Sequence, residues 1–232
     1  RSNTLNNKSN ILIVAPHCDD EVLGCGGTIA KYVKEKHNVY VLILTNASMG
    51  DENIFTKKDI EKVRKESLLA HKILGVKKTI FLDFPAPSLH IFPNHKIADN
   101  IRQIILKFKI ETLFLPFPGD MHLDHYYSYI AGIVASRASK NTNVKNIFCY
   151  EVMSETECSP HNLNNQFNPN YYVIIDDYID TKLKALKCFK SQIFPAPHPR
   201  SINSVKNLAL YRGASINSKF AEAFKLERII IT

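Results

Sequence analysis

The sequence predicts an α/β protein whose mostly parallel sheet is covered by helices on both faces. Three observations lead there. The apolar runs Ile11–Ala15, Val39–Thr45 and Leu113–Pro116 lack in–out alternation, the pattern of strands buried on both sides. A helical segment separates successive runs, as βαβ crossovers require. Two segments rich in histidine and aspartate, Pro16-His17-Cys18-Asp19-Asp20-Glu21 and His122-Leu123-Asp124-His125, each begin just beyond such a run. Open parallel sheets bind ligands at that edge, so the two segments are expected to meet there.

The elements follow in order. Residues 1–9 are polar and read as a loose arm, followed by a strand over about 10–16. A helix from about Val22 to Glu35 places Leu23, Ile29 and Val33 on its apolar side. Val39 to Thr45 forms the next strand. Asp59 to Leu74 is an amphipathic helix that Gly75 closes as a C-cap. Lys78–Phe84 reads as a strand, Ala98–Lys109 as a helix, Glu111–Pro116 as a strand, and Leu123–Ser136 as a helix with Ile130, Ile133 and Val134 on its apolar face. Past residue 145 the expected order is strands at Asn146–Glu151 and Tyr171–Ile175, a helix at Thr181–Gln192 and a Pro-rich loop at 193–203. A partly helical stretch at Leu208–Phe224 and a last strand at Glu227–Thr232 complete it. The second half completes the same unit, so residues 1–232 are read as one domain.

Bulk composition agrees. A chain of 232 residues that is 45% apolar can bury one sizeable core. The formal charge of +8 comes from 30 basic against 22 acidic residues, but the lysines (Lys31, Lys34, Lys36; Lys57, Lys58, Lys62, Lys65) scatter over exposed helix positions. No Arg-rich stripe interleaved with aromatics marks a nucleic-acid partner. No apolar run reaches the roughly 18–20 residues that span a bilayer. Five cysteines, at 18, 25, 149, 158 and 188, form no CxxC pair, which points to reduced thiols and a cytoplasmic location. A homo-oligomer is left open.

The two His/Asp segments are where chemistry concentrates, because charged groups at the end of a buried strand must be paired or bound to a metal. His17 and Asp20, three residues apart in a strand-to-helix turn, can converge on one cation, with His125 as the third ligand. Two imidazoles, one carboxylate and an open position for water is the donor set of catalytic Zn2+. Such an ion lowers the pKa of bound water and polarises a carbonyl. Asp19, adjacent to a ligand but free, is then the base. His122 serves as general acid or oxyanion donor, and Asp124 fixes its tautomer.

Other segments read more plainly. Gly24-Cys25-Gly26-Gly27-Thr28 matches neither GxGxxG nor GxxxxGK[ST], so its glycines are assigned to close helix–sheet packing rather than to phosphate binding. Cys18 is taken as a bystander lining the pocket and His71 as structural. Tyr126, Tyr127 and Tyr129 are taken as core or rim. For His198 and Arg200, substrate contact and a plain surface loop weigh equally.

At these residues the chain resembles the LmbE-like, or PIG-L, family of zinc-dependent N-acetylglucosaminyl deacetylases. That family carries [AP]-H-P-D-D-E after its first strand, matched by residues 16–21 except for Cys18 in place of proline, and H-x-D-H, matched by residues 122–125. Weaker echoes run through Glu66–Val76, Tyr150-Glu151-Val152, Lys187–Gln192 and Arg212-Gly213. The resemblance implies a Rossmann-like three-layer sandwich and hydrolysis of the N-acetyl group of a small GlcNAc-containing conjugate, releasing acetate. It implies zinc on His17, Asp20 and His125, Asp19 as base with His122 assisting, and Arg64 as a substrate contact. Two rivals remain: an amidohydrolase for another acylated small molecule, and a sugar- or nucleotide-binding module without catalysis.

Overall fold

The computed structural model of the protein describes residues 8–51, 53–139, 142–160 and 166–231. The expected arm at 1–9 falls mostly outside them, as does Thr232. Seven strands form one sheet: β1 (Asn10–Ala15), β2 (Asn38–Asn46), β3 (Lys78–Pro85), β4 (Thr112–Pro116), β5 (Asn146–Tyr150), β6 (Tyr171–Ile174) and β7 (Ala221–Arg228). The helices are α1 (Asp20–Lys34), α2 (Lys57–Leu74), α3 (Asn94–Phe108), α4 (Leu123–Ala135), α5 (Ile179–Leu186) and α6 (Ile202–Ala214).

Spatial strand order is β3-β2-β1-β4-β5-β7-β6. The first five strands run parallel, while β7 pairs antiparallel with both β5 and β6. The continuous apolar runs are explained by the pleat, which sends successive residues to opposite faces. Ile11, Ile13 and Ala15 join Val41, Ile43 and Phe114 in one buried cluster with residues of α1, α2, α5 and α6. Leu12 and Val14 join Leu42, Leu44, Leu113 and Leu115 in another with α3 and α4. This gives the expected three layers.

Local signals set several boundaries. In α2, Thr56 and Asp59 form a reciprocal capping box and Gly75 closes the helix at φ 78°. Helix α1 begins at Asp20, two residues before the expected start, because Asp19 serves as its N-cap. The C-terminal third departs further from expectation. Helix α5 ends at Leu186 rather than Gln192, and α6 starts at Ile202, where the Ser201 side chain accepts from Ser204 N–H. The last strand is Ala221–Arg228, not Glu227–Thr232. Ala-Glu-Ala-Phe-Lys-Leu-Glu-Arg is composed of good helix formers, but tertiary pairing overrides that preference. Phe224 pairs with Tyr150 of β5 on one side and Tyr171 of β6 on the other. Among the described residues no helix is long and apolar enough to cross a membrane.

Candidate metal and active site

After β1 the chain turns outward and β4 lies beside it, while β2 and β3 continue to one side and β5 to the other. This reversal leaves a crevice beyond the C-terminal strand ends. The hexapeptide after β1 and the 119–125 segment after β4 both open into it.

In the hexapeptide, Asp19 takes φ 113°, a left-handed conformation unusual for a residue with a side chain. Its N–H donates to Glu21 Oε2 at 3.1 Å. Glu21 in turn meets His71 Nε2 at 2.8 Å, and His71 Nδ1 lies 2.7 Å from Thr79 Oγ1. A buried network reaching β3 therefore supports the turn, which accords with the structural reading of His71. His17 N–H donates to Asp20 Oδ2 at 2.9 Å.

The predicted ligands come together. His17 Nδ1 stands 3.2 Å from Asp20 Oδ2, and His125 Nε2 stands 3.4 Å from the same oxygen. Asp20 and His125 are fully buried, whereas His17 keeps a quarter of its side chain exposed. Two polar atoms in this cluster, Asp20 Oδ1 and His125 Nε2, are buried without a hydrogen-bond partner among the described residues. Unpaired buried polar atoms are costly, and a cation between them would satisfy both. His17, Asp20 and His125 can each bring one ligand atom within 4.8 Å of the others.

Charge tells the same story. Burial pulls the His17 imidazole down, but hydrogen bonds to Asp124 and Asp20 outweigh it and hold the group at about 9. His125 is likewise raised by Asp20 and Asp120 against the effect of burial. The pocket thus favours positive charge where a metal would sit. The residues present fit a divalent cation, and two imidazoles with one carboxylate fit zinc.

His122 and Asp124 stand on the opposite side of His17. The His122 ring lies 4.5 Å from that of His17 and 5.6 Å from that of His125. Burial, with His17 and His125 adding to it, lowers His122 to about 4, so the ring is neutral. Its Nδ1 accepts from Asp124 N–H at 3.1 Å, which assigns the proton to Nε2. The carboxylate of Asp124 lies near His122 but makes no hydrogen bond with it among the described residues. It lies 3.1 Å from His17 Nε2 and accepts from Leu89 N–H at 3.0 Å, so the backbone of Asp124, not its side chain, sets the His122 tautomer.

Asp19 is 1% exposed. Burial pushes its carboxyl up to about 8, with Asp20 and Glu21 adding and Arg200 opposing. Arg64, expected as a substrate contact, is held against β3. Its guanidinium donates to Leu82 O at 2.7 Å and Asp83 Oδ1 at 2.8 Å and lies over the Phe81 ring. It makes no hydrogen bond or ion pair with the His/Asp cluster among the described residues. Cys18 is half-buried, and burial with Glu21 and Asp19 raises its thiol.

Two functional residues carried too little weight in the sequence. Asp120 accepts from His125 Nδ1 at 2.7 Å and from Thr156 Oγ1 at 2.6 Å. An acid five residues before a candidate ligand histidine was the available signal, since metal-binding histidines regularly bond a carboxylate through their second nitrogen. Arg200 reaches Asp19 Oδ2 at 3.0 Å from a Pro-rich loop 181 residues away, a contact that no local pattern announces.

The fold and the site together define an α/β protein with a buried His–Asp cation cradle at the switch point of its sheet. The family profile described as GlcNAc-PI de-N-acetylase (PIG-L) matches residues 12–136, a span that includes both His/Asp segments. The chain is 28% identical over 237 residues to diacetylchitobiose deacetylase of Thermococcus kodakarensis, covering 95% of this chain and 84% of the relative. It is 30% identical over 191 residues to the uncharacterized deacetylase YaiS of Escherichia coli, covering 80% and 93%. The solved structure of the conserved protein TT1542 from Thermus thermophilus superposes with a TM-score of 0.77 at 25% identity, covering 97% of each chain. The chain belongs to the PIG-L, LmbE-like family.

Proposed function

We propose that the protein hydrolyses the N-acetyl group of a small GlcNAc-containing conjugate, releasing acetate and the free amine. The observation that carries this reading is the pair Asp20 Oδ1 and His125 Nε2, buried beside His17 without hydrogen-bond partners among the described residues, with Asp19, next to Asp20 in sequence, outside the ligand set. The named activities of the relatives, deacetylation of diacetylchitobiose in one case, support the choice of bond. His17, Asp20 and His125 would hold zinc, which supplies Lewis acidity toward the amide carbonyl and toward water.

The remaining roles belong to the chain. Asp19, beside the ligand Asp20 but outside the ligand set, takes the proton of the attacking water as its carboxylate while the bond to the carbonyl carbon forms. The neutral His122 donates from Nε2 to the oxyanion that develops, a preorganised donor that need not lose a proton. Asp19 then returns the proton to the departing nitrogen, and the C–N bond breaks to acetate and amine. Asp124 steadies His17 from the far side. Arg64 at β3 is offered as a contact for more distant parts of the conjugate.

Acetate release from N,N′-diacetylchitobiose and from a panel of other GlcNAc conjugates, with metal content measured on the same sample, tests the proposal. Stoichiometric zinc with acetate release is expected. A metal-loaded protein that releases no acetate from any member would overturn it.

A further inference from the structure

Arg200 is the cationic side chain that reaches the proposed base, and every nitrogen of its guanidinium is engaged. Nη1 donates to Asp19 Oδ2 at 3.0 Å, Nε to Ser154 Oγ at 2.7 Å, and Nη2 to Glu155 Oε1 at 3.3 Å. The side chain is 17% exposed. Each nitrogen of the fork therefore has one protein acceptor, which fixes the plane of the guanidinium from three points.

Its partners are unusual in a second respect. Asp19 and Ser154 both hold positive φ, 113° and 80°, among only five described non-glycine residues that do. Such conformations persist where the surroundings over-determine them. Arg200 joins these two strained turns, one after β1 and one after β5, to the loop that precedes α6. Nη1 takes Oδ2, so the Arg200 contact leaves the other carboxylate oxygen of Asp19, Oδ1, outside it.

We infer that Arg200 is a positioning residue for the reaction: its fork fixes the Asp19 carboxylate so that one oxygen is aimed at the attacking water. The inference rests on the deacetylase reading of the site. Three acceptors on two segments are each met by a different nitrogen of one rigid fork, which a lysine ammonium on a flexible stem cannot reproduce.

The test compares wild type, Arg200→Lys and Arg200→Ala in acetate release from N,N′-diacetylchitobiose, with zinc content and melting temperature measured on each. Arg200→Lys keeps the charge and the stem, so the test stands even if Arg200→Ala does not fold. In the folded, zinc-loaded variants kcat is expected to fall by about 100-fold, the scale of an ångström-level misplacement of a reacting group. KM should stay within about threefold and zinc content unchanged, and added guanidinium ion should restore part of the kcat of Arg200→Ala but not of Arg200→Lys. A kcat within about threefold of wild type in the folded variants overturns the inference, as does a loss confined to KM, which would mark a substrate contact. A zinc-loaded wild type that releases no acetate from N,N′-diacetylchitobiose or from any other conjugate of the panel removes the deacetylase reading and this inference with it.

Discussion

His125 and Asp120 are joined Nδ1 to Oδ2 at 2.7 Å, so the orientation of the ring is set by the protein. The other nitrogen, Nε2, is thereby turned to Asp20 and has no hydrogen-bond partner among the described residues. Replacing Asp120 with alanine should leave the fold intact but weaken zinc binding by about 10–100-fold, the usual effect of losing such a support. Competition with a chelator of known affinity measures it, and unchanged affinity would show that the ring needs no such anchor.

Asp19→Asn should retain zinc while acetate release falls by at least about 100-fold, since a general base contributes on that scale. Asparagine keeps a hydrogen-bond acceptor for Arg200 but cannot accept the proton. Near-normal turnover in this variant would remove Asp19 from the mechanism.

Stripping the metal with a chelator should abolish acetate release and lower the melting temperature, and zinc should restore both. A ligand present at a thousand times its Kd stabilises the folded state by about 4 kcal/mol. A melting temperature indifferent to chelator would argue that the His17–Asp20–His125 cradle holds no ion.

Beneath the site, Lys182 donates to Leu23 O at 2.7 Å and to Glu222 Oε1, while Glu222 also accepts from the N–H groups of Gly27 and Thr28. Both ionic side chains are 4% exposed. Lys182→Met leaves a buried carboxylate without its cation and should cost about 3–5 kcal/mol. Adding Glu222→Gln to that variant should recover part of the loss in denaturant unfolding. Full additivity of the two changes would mean the pair is not coupled.

His37 accepts from Ser9 N–H through Nδ1 at 3.0 Å, and burial lowers its pKa below 6.5, with Glu35 opposing. The folded chain therefore binds this proton less readily than the unfolded chain does. Stability from His37 is complete above about pH 6.5 and declines as pH falls from there toward the folded value. A proton NMR titration of the ring should find a midpoint below 6.5, and a midpoint above it would reverse the sign of the effect.

Much of the fold was legible because its strands are buried on both faces. The runs Ile11–Ala15 and Leu113–Pro116 have no polar side to disguise them, and the parallel half of the sheet follows from their alternation with helices. Ala221–Arg228 was not legible, because its residues favour a helix and only the gap between β5 and β6 makes it a strand.

Residue order alone was enough to single out the side chains to which the chemistry is assigned in the proposal. Histidine and aspartate are too costly at the ends of two buried runs to stand there without a role, so His17, Asp19, Asp20, His122 and His125 could be named from their positions. Tertiary structure decided how they are divided and held. It turned the Asp124 carboxylate to His17 rather than His122, put Asp120 behind His125, and brought Arg200 onto Asp19 across 181 residues. The physical reason is directional. A sequence pattern fixes where a side chain leaves the backbone, whereas the partner of each lone pair and each proton depends on which distant segment packs opposite it.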